Sequence, residues 1–469
     1  MTRLRARNLA CGGALALAAT LSAGDAARAD HGNGLAGHPS PPPAAAERAA
    51  TPPPEVEYAT LAGGWPAFIW RPAPGAPRKR VALAPIHLSD PGLSYLACAE
   101  MARRGYVAVC APPAPERPLR SAYETQATQL RGAVARARAE PGVSAVAIIG
   151  HGAGGAAAAF YQNVAANGPT ACQGPEKLSP CDGARLADLP AADALVLLDP
   201  DLGQAYGLLS QLDPAVTDEN APTRRDPALD MYDPRNGFDP GRNAGDYSAA
   251  FRRTFHEGQH ARNARLIDEA RRRITAVTAR DPDAYPDDMP FFIPGAQAAR
   301  LWQADTSLLS RTKRAHKLLA ADGSTPVRKL SPLAPPAGNQ REATSFRGAL
   351  QLTVKQFLAG YALQTLPDYD VTADDLIGVA WDSSTTSTIA NVAGVTAPTL
   401  VMTMTGHIYV RPAEMILDAS AATDKELVAV EGASYAIWPC AACAGAPGRF
   451  GDTVRRTFDY MDAWLDQRV

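Results

Sequence analysis

An uninterrupted apolar run, Ser144 to Ile149, leads into Gly150-His151-Gly152-Ala153-Gly154-Gly155 and then into the alanine-rich stretch Ala153 to Ala166. An apolar run of this length bounded by glycines reads as a buried strand, and the alanines after it favour a helix. A strand that passes into a helix through four glycines in six residues must turn sharply, and this junction constrains the fold more than any other segment.

The flanking sequence repeats the strand–helix alternation. Ala67 to Trp70 ends an early strand pair, and Arg80 to His87 reads as a buried strand followed by a helix from Tyr95 to Arg104. Tyr106 to Cys110 is the next strand, stopped by Pro112 and Pro113. The following helix opens with the capping box Ser121-x-x-Glu124 and repeats Tyr123, Ala127, Leu130, Val134 and Ala137 on one face. Ala194 to Leu198 is a further strand ending at Asp199-Pro200-Asp201. Fully apolar strands between amphipathic helices predict a parallel sheet covered on both faces. From 203 to 390 the pattern lapses into a polar, helix-rich and strand-poor stretch. It resumes with a strand at Thr399 to Thr403, a helix from Pro412, a strand at Leu427 to Val430 and a closing helix. Asp452 caps that last helix, which places Val454, Phe458, Met461 and Leu465 on one face. The expected organisation is an α/β core, 56–202 and 391–469, interrupted by a helical cap over the carboxyl edge of the sheet, where such sheets bind ligands.

The amino-terminal segment has the anatomy of a secretory signal. Arg3, Arg5 and Arg7 precede an apolar stretch from Leu9 to Leu21, with Ala27-Arg28-Ala29 as a cleavage site, giving a signal peptide over 1–29. The apolar run is shorter than the ~20 residues of a membrane span, so no integral membrane segment is expected after its removal. Residues 30–55, with their proline triplets, read as a Pro/Ala-rich linker. Loss of Cys11 with the signal leaves six cysteines, and export places them where disulfides persist. Cys172 and Cys181 bracket a short loop and form the first candidate pair. Cys440 and Cys443 read as a tight disulfide, a redox pair or half of a metal site; without a second CxxC, the disulfide is preferred. Cys98 and Cys110 read equally well as buried thiols. The net charge of −2 gives no reason to expect nucleic acid or an anionic membrane as partner, and the sequence leaves the oligomeric state open.

The junction Ile149 to Gly155 closely resembles the nucleophile elbow of the α/β-hydrolase superfamily, a G-x-S-x-G turn that lifts a serine above the sheet. Ala192 to Tyr206 is similar to the strand-six segment of dienelactone-hydrolase-like and lipase-like members, and Gly432-Ala433-Ser434-Tyr435 falls where the family has Gly-Ala-x-His. The resemblance implies an α/β-hydrolase fold and hydrolysis of carboxylic esters, lactones or amides. The departures fall on the chemistry. Gly152 occupies the nucleophile position and Tyr435 the histidine position, while the usual acid site reads Thr405-Gly406-His407. Asp199 is a possible acid after strand six, though turn-capping beside Pro200 is its preferred role. The leading expectation is therefore a pseudohydrolase that binds a small organic or acyl ligand, with His87 and Ala153 among its contacts. A rebuilt site around His87, His151, His407 and Tyr435 is the alternative. Ser383 and Ser384 are substitute nucleophiles whose plainer reading is a solvated turn.

No cofactor is expected, with one competing motif. His256-Glu257-Gly258-Gln259-His260 matches H-E-x-x-H, which on a helix turns two histidines to one side to share zinc while the glutamate activates water. Gly258 weakens the helix centre, no downstream histidine follows, and Glu269 lies too close on the same helix to fold back as a third ligand. Packing histidines of the cap are the plainer reading. Tyr285 to Pro294 and Ala299 to Trp302 read as cap core or pocket roof, and Arg271 to Arg273 as a solvated face.

Overall fold

The computed structural model describes residues 52–88, 92–113, 122–278, 288–337 and 348–469. The signal peptide, nearly all of the linker, the capping-box serine Ser121 and Tyr285 lie outside the described residues.

Among the described residues ten strands form one sheet. They are β1 (Glu55–Thr60), β2 (Pro66–Arg71), β3 (Val81–His87), β4 (Val107–Cys110), β5 (Ala145–His151), β6 (Ala194–Leu198), β7 (Ala315–Leu319), β8 (Val327–Lys329), β9 (Thr399–Met404) and β10 (Lys425–Val430). The spatial order is β1-β2-β4-β3-β5-β6-β9-β10-β7-β8. Pairing is parallel from β4 through to β7; the β1–β2 and β2–β4 pairs and the β7–β8 pair are antiparallel. The mostly parallel sheet is flanked by helices α1 (Leu96–Arg103), α2 (Ala122–Arg138), α3 (Ala153–Asn167), α5 (Val410–Ala419) and α6 (Thr453–Asp466); α4 (Ala249–Thr278) belongs to the insertion.

The apolar strands explain this layering. Successive side chains point to opposite faces, so β3 sends Ala82, Ala84 and Ile86 into one core and Val81 and Leu83 into the other. The first core is closed by the α2 face Tyr123, Ala127, Leu130, Val134 and Ala137. The second is closed by α6 through Val454, Phe458, Met461 and Leu465, with Asp452 accepting from the Arg455 amide at its N-cap.

The insertion is not the strand-poor helical cap that its polarity suggests. Its 315–329 segment extends the central sheet as β7 and β8, and two-stranded pairs form between Leu350–Thr353 and Pro290–Ile293 and between Gln364–Val371 and Leu376–Ala380. β8 is exposed throughout, so it lacks the apolar run that marks a buried strand. What holds β7 in place is a buried carboxylate. Glu414 of α5 accepts the Lys313 and Arg314 amides (2.7 and 2.9 Å), His316 Nε2 (2.7 Å) and Arg411 Nη1 (2.9 Å). Burial raises the pKa of this carboxyl, but those donors outweigh it and hold it at about 2.

α4 spans 30 residues, about 45 Å at the α-helical rise. Gly258, in its first half, has a packing reason: a Cβ there would lie 2.9 Å from Pro214 Cβ and 3.1 Å from a Leu229 methyl. Among the described residues no helix is long and apolar enough to cross a membrane. Three disulfides form: Cys172–Cys181, Cys440–Cys443 and Cys98–Cys110. The last corrects the buried-thiol alternative, because α1 packs its Cys98 directly against the end of β4.

Candidate functional site

The turn from β5 to α3 has the geometry its glycines predict. Gly152 sits at φ +54, ψ −124, a conformation that strains any L-residue, and its amide donates to Leu198 O at 2.9 Å. A Cβ at Gly150 would lie 2.6 Å from Gly154 O and from the Gly155 Cα. The elbow is therefore built as an elbow, and Ala153 opens α3 with an amide that has no intrahelical partner. In the α/β-hydrolase elbow the amide at the corresponding position is an oxyanion donor.

Above the elbow the expected side chain is replaced by a different one. The Tyr435 ring occupies the direction in which a residue-152 side chain would project: a Cβ there would contact its Oη and lie 2.7 Å from Cε2 and Cζ. Tyr435 is held on two sides. Its carbonyl accepts from His151 Nε2 at 2.8 Å, which fixes that tautomer, and its hydroxyl lies 3.3 Å from His87 Nε2. The rings of His87, Tyr95, His151 and Tyr435 pack with centroid separations of 4.8–6.1 Å. Burial pushes the Tyr435 phenol well above the usual tyrosine range, and Tyr409, Asp201 and Asp199 push it further. It stays a neutral hydroxyl, able to hydrogen-bond but poor as a nucleophile or base.

The preferred turn-capping reading of Asp199 is corrected. Its carboxylate, fully buried at the end of β6, accepts from the Met404 amide (3.1 Å), the Thr403 hydroxyl (3.4 Å) and His407 Nδ1 (2.5 Å). His407 is thus no stand-in for the family acid but an imidazole oriented by an acid 208 positions earlier. With Nδ1–H committed to Asp199, the ring presents Nε2 as its basic atom, and its face lies 5.1 Å from the Tyr435 ring. The four residues of the rebuilt-site expectation do converge, with Asp199 added.

A second group lies beside them. Asp201 accepts the Gly203 amide at 2.9 Å, and its carbonyl accepts the Thr388 hydroxyl at 2.8 Å. Burial pushes its carboxyl up to about 6; the Gly203 amide, Arg300 and His407 oppose the rise and Asp199 adds to it. Arg300 comes from the insertion, and its field is also felt by the hydroxyls of Tyr206 and Tyr409. Only the -Asp-Pro-Asp- spacing at the strand end hinted at Asp201, and Arg300 was marked only as part of the Ala299 to Trp302 segment read as cap core or pocket roof.

The remaining candidates do not join this cluster. His256 Nδ1 donates to the Asp370 carboxylate at 2.6 Å, and His260 Nδ1 lies 2.7 Å from Thr365 Oγ1, so both histidines fasten α4 to the Gln364–Val371 strand. Glu257 faces solvent while His256 is buried, and Glu269 pairs with Arg272 and Arg273. Among the described residues no group of three or more His, Cys, Asp or Glu could hold a metal ion. Ser383 and Ser384 are not in a solvated turn. Both are buried, Ser383 Oγ accepting from the Gln364 amide at 2.8 Å and Ser384 Oγ lying 3.2 Å from Thr386 Oγ1. Phe291 enters the insertion's own core, whereas Phe292 is exposed.

No protein family and no curated protein matches the sequence. Solved structures with a similar course include an α/β hydrolase from Penicillium (12% identity, 89% of this chain and 99% of that one, TM-score 0.38). Others are a carboxyl esterase from Tuber melanosporum (11%, 89% and 89%, 0.37) and a hormone-sensitive lipase from a metagenome library (12%, 91% and 94%, 0.38). The assignment rests on the chain's own strand order and elbow rather than on these distant likenesses. By that order and that turn, the chain has the α/β-hydrolase fold.

Proposed function

We propose that this chain is an exported α/β-hydrolase-fold protein that binds a small organic or acyl ligand at the carboxyl edge of its sheet and forms no acyl-enzyme. One observation carries the reading: the Tyr435 hydroxyl lies where the side chain of residue 152 would have to be. Acyl transfer needs a hydroxyl or thiol beside a base, and the elbow offers neither. The ligand-facing parts are kept, namely the Ala153 amide at the start of α3, the His87–Tyr435 pair and the His407 imidazole. Export is supported by the basic and apolar anatomy of residues 1–29 together with three disulfides.

The 2.5 Å contact between Asp199 and His407 favours a second reading, in which His407 Nε2 takes a proton from water attacking a bound ester or lactone. One experiment separates the two: an ester and lactone panel with the purified protein, with and without a chelator, beside labelling with a serine-directed phosphonate. No turnover and no label is the expected result. Chelator-resistant turnover abolished by His407→Ala moves the assignment to the water mechanism, chelator-sensitive turnover lost on His256→Ala to a zinc site, and covalent labelling overturns both proposals made here.

A further inference from the structure

Resting on the ligand-binding reading above, we propose that the ligand carries a carboxylate and that Arg300, with Tyr206 and Tyr369, forms its anchor. Arg300 immediately precedes the short helix Leu301–Ala304. Among the described residues no carboxylate lies within ion-pair distance of its guanidinium. It makes one long hydrogen bond, Nη1 to Gln303 Oε1 at 3.3 Å, and its buried Nε has no acceptor. Nε is a donor and nothing else, so its environment asks for an oxygen. The guanidinium carbon lies 5.7 Å from the Trp302 ring centroid, which restrains it without satisfying it.

Two hydroxyls share this condition. Tyr206 and Tyr369 are each 4% exposed, and neither hydroxyl has a hydrogen-bond partner. Buried polar groups are almost always paired, so several unpaired ones in one region require an explanation. The backbone brings their segments together. Ala298 and Ala299 donate to Gln211 O (3.1 and 3.0 Å), seating Arg300 beside the helix that carries Tyr206. Leu309 donates to Thr372 O (2.9 Å), joining the chain after Arg300 to the hairpin that carries Tyr369. Burial raises both phenols; Tyr369 adds to the rise at Tyr206 and Arg300 opposes it, placing Tyr206 within the field of both.

A guanidinium and two phenols match a monoanionic carboxylate, one oxygen to the guanidinium and the other to a hydroxyl. A dianion would be repelled by Asp199 and Asp201. Arg300, Asp199 and His407 act on the Asp201 charge, and Tyr123, Tyr409 and Tyr435 feel it; it is the carboxyl able to take up a proton as the anion arrives. Carboxylate binding should therefore tighten from pH 7.5 to pH 5.5.

The test is calorimetric titration with hexanoate against hexanamide and phenylacetate against phenylacetamide. We expect each carboxylate to bind about tenfold tighter than its amide. Arg300→Gln should remove the preference with circular dichroism unchanged, and Arg300→Lys should keep part of it. Asp201→Asn should remove the pH dependence. A preference that survives Arg300→Gln, or amides bound as tightly as carboxylates, overturns the anchor while leaving the ligand-binding reading intact. Binding of neither class overturns both.

Discussion

Among the described residues two aspartate–histidine pairs are built in opposite senses. At the carboxyl edge of the core, Asp199 is fully buried and His407 is the more open partner, 13% exposed. In the insertion the histidine is hidden, His256 at 2%, and Asp370 reaches solvent at 46%. The contact distances differ by only 0.1 Å (2.5 and 2.6 Å), so contact alone does not distinguish the two pairs. Which partner keeps an accessible face does. A buried carboxylate behind an open imidazole leaves Nε2 for chemistry or ligand. A buried imidazole behind an open carboxylate leaves only a fastening between α4 and its hairpin.

The largest test of that difference is loss of each carboxylate. Asp199→Ala removes the acceptor of three buried donors and should destabilise the fold by about 3–5 kcal/mol in urea unfolding. Asp370→Ala should cost about 1 kcal/mol or less. The Val371 amide already lies 3.4 Å from His256 Nδ1 and can take over as its partner. Equal losses at the two sites would break the comparison.

Next in size is Gly152→Ser, the substitution that would restore the family nucleophile. It combines a left-handed φ with a side chain driven into Tyr435, and should cost about 2–4 kcal/mol and give no fast esterase. In a Tyr435→Ala background the same change should cost about 1–2 kcal/mol less, since the clash is gone and the strain remains. A rapid esterase from Gly152→Ser alone would show that Tyr435 is not the residue closing the elbow.

The core was legible because its information is local. Continuous apolar strands, the α2 and α6 faces and the glycine turn each declare themselves within a dozen residues. The insertion strands did not: β7 has only two buried residues and β8 has none; Glu414, about 100 positions away, holds β7 in the sheet, and β8 follows by pairing with β7. The H-E-x-x-H spacing was equally local and correctly placed both histidines on a helix, yet their use was set by Asp370 and Thr365 more than 100 positions on. The pairing of Asp199 with His407 and the approach of Tyr435 to Gly152 are products of sheet register. Leu198 opposite Met402 sets the two loops side by side, and a sequence without partners in view shows none of that.

A smaller effect distinguishes the core edge by its response to pH. Asp201 binds its proton more tightly folded than unfolded, with a folded value of about 6. The stability this confers is complete below the ordinary carboxylate value and is lost as pH rises through 6. Asp201→Asn should therefore leave stability unchanged near pH 3.5 and raise it by about 2–3 kcal/mol at pH 8. An unchanged difference across that range would mean that Asp201 is not the strained carboxyl of the site.

The insertion pair should give the smallest effect, with the opposite sign. The His256 hydrogen bond is the largest influence on Asp370 and lowers its pKa; burial opposes this, and the Val371 amide and Arg252 reinforce it. A depressed carboxyl contributes stability above its unfolded value, and that contribution drains away as pH falls through the folded one. Because Asp370 is nearly half exposed, solvent screens much of the interaction. Asp370→Asn should therefore lower the unfolding midpoint slightly at pH 6 and approach the parent protein only as pH falls below the ordinary carboxylate value of about 3.9. Asp201→Asn would diverge from the parent over the rising part of the same titration. Should Asp370→Asn also diverge upward, the two pairs would be electrostatically alike, and burial of the carboxylate would no longer tell the site from the fastening.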